Sequence, residues 1–201
     1  MRNFFILIFI FCTCSCFAQK LAKRSSYERR WAFAHPFAAL KTKKIYRKCL
    51  PLYLEIKKTG SLDTCENGGR LDSFRHSFFM AAFTQKISAK KIRKLGMAHE
   101  KGNYKMFLKG IKEDGELADS LSTVMDLHNN ELGFKIGPAH PDLDYRKLRD
   151  EVAQQIFSGQ SLFFKRNQRN QYVTCEGELI ILDDYKGKWF IPKCLLSSVL
   201  K

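Results

Sequence analysis

Residues 72–83, with the sequence DSFRHSFFMAAF, constrain the fold of this 201-residue chain more than any other segment. A helix formed by this segment would be apolar on nearly every side, so other elements must surround it. Asp72, Arg75 and His76 stand at positions i, i+3 and i+4 and share roughly one face. A buried arginine is costly without a carboxylate partner. We therefore expect Arg75 to pair with an acid, and Asp72 is one candidate.

Helical patterns before and after this segment predict a mainly α protein. Residues 20–58 are expected to be helical, with a break or kink at Pro51. A long helix is expected over about residues 116–132, with Gly133 as its C-terminal stop. A further helix is expected over residues 145–157. Together these segments predict a helical, bundle-like body.

The pattern changes after Gly159. Three short β-rich segments follow, at residues 172–175, 179–182 and 189–191. The predicted fold class is therefore mainly α, with a small C-terminal antiparallel β-hairpin or three-stranded sheet. The sequence as a whole is predicted to have four parts. They are a signal peptide (1–18), a basic N-terminal helical segment (19–66), a helical core (67–158) and a β-rich C-terminal segment packed on the core (159–201).

Residues 1–18 have the composition of an export signal. One arginine precedes an unbroken apolar run over residues 4–11, and the whole apolar stretch is shorter than the roughly 20 residues that cross a bilayer. Cys16 and Ala18 supply small residues at the two positions that signal peptidase recognises. We expect cleavage after Ala18 and a periplasmic or extracellular location. Lipoprotein processing at Cys16 is a weaker alternative, because Leu is absent three positions earlier.

Cleavage after Ala18 would leave four cysteines, which are Cys49, Cys65, Cys175 and Cys194. An even number in an exported chain indicates two disulfides, with three possible pairings. We favour the local pairs Cys49–Cys65 and Cys175–Cys194. The spacing of these cysteines does not match a structural zinc site.

The chain is basic, with 35 Lys and Arg residues against 20 Asp and Glu residues. The positive charge is concentrated in residues 20–58 (12 basic, 2 acidic) and residues 86–112 (9 basic, 1 acidic), whereas residues 113–151 are acidic. Such segments favour anionic partners: an anionic envelope component, a small substrate or the surface of a membrane. Nucleic acid is a less favoured partner, because an exported chain rarely meets chromosomal DNA and no nucleic-acid-binding motif is present.

Two more stretches place polar groups beside apolar stripes. His99 lies on an apolar helical stripe and should face neighbouring helices, whereas Glu100 points about 100° away from it. No His-Glu-x-x-His motif is present, which excludes that class of metalloprotease. Asp126, Asn129 and Asn130 flank the apolar stripe of the predicted 116–132 helix. Periodicity alone would place that flank in solvent.

Three blocks of sequence together resemble an uncharacterised bacterial family, domain of unknown function 6973. They are, in order, Gly69-x-x-Asp72-x-x-Arg75-His76, Ala98-His99-Glu100 and Met125-Asp126-x-x-Asn129-Asn130-x-x-Gly133. The family pattern is D-x-x-R-H, A-H-E and M-D-x-x-N-N-x-x-G, and many members are exported. The resemblance covers about residues 67–137 and implies one shared site without naming a reaction. Met80 departs from the pattern, which has Asn at that position.

If the three helices pack together, their ionisable groups converge in the core of the bundle. The candidate catalytic residues are then His76, His99, Glu100 and Asp126. A divalent metal is the candidate cofactor, with His76, His99 and Asp126 as its ligands. Arg75, Asn129 and Asn130 are candidate substrate-binding residues, and Asp72 and Gly133 are candidate structural residues.

Two hypotheses of function follow from this cluster. The first is an exported hydrolase that acts on an envelope or extracellular substrate, with metal-assisted or general acid–base chemistry. The second is a non-enzymatic, envelope-associated binding module. In that case the same residues form a structural hydrogen-bond network.

Overall fold

The computed structural model describes residues 24–112 and 116–197. Within these ranges the helices are α1 (Ser26–Ala34), α2 (Pro36–Thr59), α3 (Arg70–Thr84), α4 (Ala89–Phe107), α5 (Ser120–Ala139) and α6 (Tyr145–Phe157), and the strands are β1 (Leu162–Phe164) and β2 (Leu195–Ser197). The predicted signal peptide lies outside the described residues. Among the helices described, none has the length and apolar character needed to cross a membrane.

The mainly helical body and its small C-terminal antiparallel sheet confirm the predicted fold class. The strands differ from the three segments that the sequence suggested, because β1 pairs with β2, with Phe163 opposite Leu196. Val173 and Leu179 form only an isolated bridge. Apolar side chains of the β-rich segments instead pack into a second small core with Met125, and these include Phe164, Tyr172, Ile180 and Ile191.

Helix α3 is the central element, as its apolar composition predicts. Eleven of its 15 residues are buried, and it packs against α5, α6 and α2. Helix α2 runs on through Pro51, where the sequence suggested a break. Pro51 lies on the solvent side of α2, so the backbone hydrogen bond that proline cannot donate is missing where water can compensate.

Close contact between α3 and α5 determines where the polar side chains of both helices lie. The Ser77 hydroxyl donates to the Asn129 carbonyl at 2.9 Å, and a Cβ atom at Gly133 would collide with the Ser77 carbonyl. Gly137 meets the Ala81 carbonyl in the same way, one turn further along both helices. The two helices therefore run in the same direction. Gly133 is not the predicted helix stop: α5 continues to Ala139, and Gly133 is the point of closest approach.

The cysteines follow the sequence prediction only in part. Cys175 and Cys194 form the predicted disulfide, within the C-terminal segment. The predicted Cys49–Cys65 bond is wrong, because both residues are free thiols. Cys49 lies on the core face of α2, where burial raises its pKa to about 12. Cys65 lies in the loop before α3, with its sulfur 3.3 Å from Asn170 Oδ1.

Candidate metal and catalytic site

Two helices bring three potential metal ligands together. Asp72 and His76 project from α3 and Asp126 from α5, and one ligand atom of each lies within 4.8 Å of the others. We call these three residues the His76 cluster. The His76 Nε2 atom is 3.5 Å from Asp72 Oδ1 and 3.3 Å from Asp126 Oδ1. The side chains are 2%, 9% and 13% exposed for Asp72, His76 and Asp126, so the cluster is nearly buried.

Asp72 is held in place from two sides. The Gly68 backbone N–H donates to Asp72 Oδ2 at 2.7 Å, and the Arg75 guanidinium lies 2.7 Å from Asp72 Oδ1. This confirms the predicted pairing of Arg75 with a carboxylate. Asp72 is also in the first turn of α3, where the helix dipole favours a negative charge. The carboxylate is therefore fixed in position and stabilised in its ionised form.

His76 is oriented by a residue of the opposite helix. Its Nδ1 atom lies 3.3 Å from the Asn130 side-chain oxygen, which can only accept a hydrogen bond. Burial lowers the pKa of His76 well below its usual value, and the positive charges of Arg75 and His99 lower it further, whereas the Asn130 hydrogen bond acts in the opposite direction. A proton on Nδ1 would be donated to Asn130 and would leave the Nε2 lone pair directed at the two carboxylates, whereas a proton on Nε2 would be donated to one of them.

A small polar pocket gives access to this cluster. Its lining comprises Asn67, Asp72, Arg75, His99, Asn103, Glu116, Leu117, Ala118, Ser122 and Asp126. Two of the three clustered residues therefore line a surface pocket together with an arginine and a second histidine. Predicted candidates from all three sequence blocks meet here: Arg75, His99 and Asp126.

His99 is positioned by an acid that the sequence analysis did not identify. Its Nδ1 atom lies 3.6 Å from Glu28 Oε1. Burial would raise the pKa of Glu28, but hydrogen bonds with His99 and with Ser25, together with the charge of His99, lower it to about 2. The Ser25-x-x-Glu28 pattern is a capping box that starts α1. That pattern could have located the start of α1, but not the contact with His99.

Two predicted site residues do not line the polar pocket. Glu100 is 4% exposed and is not among the residues that line the polar pocket. Asn129 is fully buried, and its side-chain amide donates to the Leu162 carbonyl and accepts from the Leu162 N–H, at 2.9 and 3.0 Å. It joins β1 to α5. Asn130, predicted to bind substrate, instead contacts His76.

Asp72, predicted to be structural, takes the place in the cluster that the sequence prediction gave to His99. The signal was present, because Asp72 and His76 stand four residues apart on one helical face. Asn103 and Ser122 also line the pocket, but nothing in their sequence context distinguishes them from ordinary polar residues.

The fold and the site define a class: a mainly helical protein in which two parallel helices present an Asp/His/Asp cluster to a polar pocket. The chain belongs to the family described as Domain of unknown function (DUF6973), whose model matches residues 29–160. That range contains the whole His76 cluster and His99, and it begins one residue after Glu28. No curated protein and no solved structure matches the chain.

Proposed function

We propose that this protein is a metal-assisted hydrolase and that the His76 cluster holds its divalent cation. The observation that carries the proposal is the meeting of three potential ligand atoms, His76 Nε2 and one carboxylate oxygen each from Asp72 and Asp126. One cation could be coordinated by all three atoms at once.

The spacing of these atoms supports this use. Metal–nitrogen and metal–oxygen bonds of about 2.1 Å at tetrahedral or octahedral angles place neighbouring ligand atoms about 3.0–3.4 Å apart. The two distances from His76 Nε2, 3.3 and 3.5 Å, are close to that range. The Asn130 contact at Nδ1 also resembles the outer hydrogen bond that orients ligating histidines. Imidazole with carboxylates suits zinc, manganese or iron.

Three protein ligands beside a pocket are typical of catalytic rather than structural sites. A bound divalent cation would lower the pKa of a water molecule and polarise the substrate group that it attacks. His99 lines the same pocket, and Glu28 fixes the orientation of its ring, so we assign to His99 the transfer of protons during the reaction. Arg75, one-third exposed and held by Asp72, is placed to bind an anionic group of the substrate.

We further propose that the protein acts outside the cytoplasm, on an envelope or extracellular substrate. The apolar N-terminal sequence supports export. The Cys175–Cys194 disulfide is a second, weaker support, because disulfides persist mainly in oxidising compartments.

Metal binding is the first test. Protein freed of metal with a chelator would be titrated anaerobically with Zn²⁺, Mn²⁺ and Fe²⁺ in a calorimeter, and we expect one of them to bind in a single equivalent. Asp126→Asn and His76→Ala should each weaken binding at least about tenfold. His128→Ala is the matched control, because His128 lies on the same helix as Asp126 but contacts the Gln160 carbonyl instead.

Activity is the second test, using panels of esters, phosphoesters and amides. We expect His99→Gln to lower turnover about 10²–10⁴-fold while the metal stoichiometry stays at one. Unchanged turnover would remove His99 from the mechanism. If the folded wild-type protein binds none of the three metals, the proposal fails, and the hypothesis of a structural hydrogen-bond network takes its place.

A further inference from the structure

A groove between α1 and α4 forms a second surface feature, separate from the polar pocket. It encloses about 490 Å³ and is lined by Tyr27, Arg30, Lys90, Arg93, Lys94, Met97, Ala98 and Lys101. The Trp31 indole N–H donates to the Lys91 carbonyl at 2.9 Å and joins the two helices at one end. Gly102 permits close approach of Ser25 at the other end. The walls of the groove are therefore fixed.

The groove carries an excess of positive charge that the protein does not neutralise. Arg93 forms a two-point ion pair with Glu131, at 2.6 and 2.7 Å. Within the described ranges, the groove's other four cationic side chains form no ion pair, and these are Arg30, Lys90, Lys94 and Lys101. Lys90, Lys94 and Lys101 follow helical spacing and lie along one face of α4. Like charges so close together favour an anion between them.

Large apolar side chains are exposed on α1, which forms one wall of the groove, and at the start of the next helix, α2. Phe33 lies one turn after Arg30 on α1 and is 75% exposed, and Phe37, at the start of α2, is 85% exposed. Leu40 follows one turn later at 57%. The same outer face of α2 continues with two exposed basic residues, Lys44 and Arg47. Exposed phenylalanine next to lysine and arginine is typical of surfaces that lie in the headgroup region of a bilayer.

We propose that this surface binds the protein to an anionic phospholipid membrane. The groove receives lipid phosphates through Arg30 and the lysines of α4, and Phe33 and Phe37 enter the boundary between headgroups and acyl chains. A soluble phosphate compound would account for the cationic groove, but it would leave the exposed phenylalanines unexplained. Membrane attachment is independent of the chemistry proposed for the His76 cluster.

Vesicle co-sedimentation of the full chain tests this proposal. Partition would be measured on vesicles of equal parts phosphatidylglycerol and phosphatidylcholine, and on vesicles of phosphatidylcholine alone. The ratio of the two partition coefficients cancels any contribution of the apolar N-terminal residues that all variants share. We expect the triple variant Lys90→Gln, Lys94→Gln, Lys101→Gln to lower this ratio by about 10²-fold, since each lysine near an anionic surface contributes about a fivefold effect and the three effects multiply.

Two matched controls separate the surface from net charge and general hydrophobicity. The triple variant Lys147→Gln, Lys186→Gln, Lys188→Gln removes three exposed lysines elsewhere and should change the ratio much less. The double variant Phe33→Ser, Phe37→Ser should lower partition on the anionic vesicles. Phe157→Ser, which removes a 57% exposed phenylalanine of α6, should not.

Three results would overturn the proposal. Equal losses in both lysine triples would mean that net charge alone drives binding. Unchanged partition in the Phe33 and Phe37 double variant would show that no apolar insertion occurs. A wild-type ratio near one, together with lysine-dependent binding of inorganic polyphosphate, would assign the groove to a soluble anion.

Discussion

Two largely buried polar clusters lie along the first turns of α5, one at its N-cap Asp119 and the other at Asp126. Their polar atoms are satisfied in different ways. In the Asp119 cluster, comprising Glu116, Asp119, Tyr172 and Lys193, donors match acceptors. Asp119 receives two backbone N–H groups, the Ser122 hydroxyl and the Lys193 ammonium, all within 3.0 Å. The Tyr172 hydroxyl donates to Glu116 at 2.7 Å. In the His76 cluster, two carboxylates instead converge on one imidazole, and Asp72 also receives Arg75 and the Gly68 N–H.

This difference distinguishes a cluster that supports the fold from one suited to a ligand. A buried carboxylate with a full set of donors is stable as it stands. Two carboxylates that converge on one imidazole repel each other, and such groups of ionisable side chains cluster at functional sites, where a cation or substrate relieves the repulsion. The comparison leads to four predictions, from the largest expected effect to the smallest.

Lys193→Met should destabilise the protein most. It leaves Asp119 buried without its ammonium partner, and breaking a buried pair in this way costs about 3–5 kcal/mol. Thermal unfolding should then occur about 10 °C lower. The exposed Lys188→Met serves as the control and should change stability by less than about 0.5 kcal/mol. A similarly small loss for Lys193→Met would contradict the role assigned to the Asp119 cluster.

Gly133→Ala should loosen the crossing of α3 and α5. The new methyl group collides with the backbone at Ser77, and overpacking of this kind costs about 1–3 kcal/mol. Because the shift separates Asp126 from His76, metal affinity should fall as well. In Gly102→Ala the methyl group meets only the Ser25 side chain, so chemical denaturation should show a smaller loss and calorimetry an unchanged affinity. If both variants changed metal affinity equally, the close crossing of α3 and α5 would not be what positions the His76 cluster.

The Glu28–His99 contact should make stability depend on pH in the acidic range. The pKa of Glu28 is about 2 in the folded protein against an ordinary value of 4.5, so the folded state favours the carboxylate. Its contribution is complete above about pH 4.5 and is lost as the pH falls toward 2. We expect about 1–2 kcal/mol after allowance for solvent screening. Urea unfolding at several pH values should show this loss in the wild type and a reduced loss in Glu28→Gln.

Asp126→Asn should have the smallest effect on stability, and its sign is informative. The amide removes one negative charge and can donate to His76 Nε2, so the metal-free protein should keep its stability or gain up to about 1 kcal/mol. Asp119→Asn, measured beside it, should lose stability. A loss above about 2 kcal/mol for Asp126→Asn would place the His76 cluster in the same structural class as the Asp119 cluster.

Local sequence signals predicted the helical class and most of the helices. The helix predicted over residues 145–157 forms as α6, for example, and Asp144 caps it, with its carboxylate accepting from the Arg146 and Lys147 N–H groups. The pairing of Asp72 with Arg75 followed from the cost of burying a charge inside an apolar helix. Each of these features depends on residues only a few positions apart, and such contacts follow from helical geometry alone.

Other features required the tertiary structure. Pairing of β1 with β2 joins residues more than 30 positions apart, and no local pattern marks which segments meet. The predicted Cys49–Cys65 bond was wrong for the same reason, because no local pattern shows that one thiol lies within the core and the other in a loop.

The sequence by itself determined which residues are chemically competent: two histidines, an arginine and several acids on three helices. Only the tertiary structure decided which of them meet. Helices α3 and α5 cross closely because Gly133 and Gly137 remove side-chain bulk between them, and this crossing places Asp126 against His76 while Glu100 is buried elsewhere. Ionisable groups are costly to bury at every position, but their positions relative to one another depend on backbone packing. That packing is a property of the whole fold.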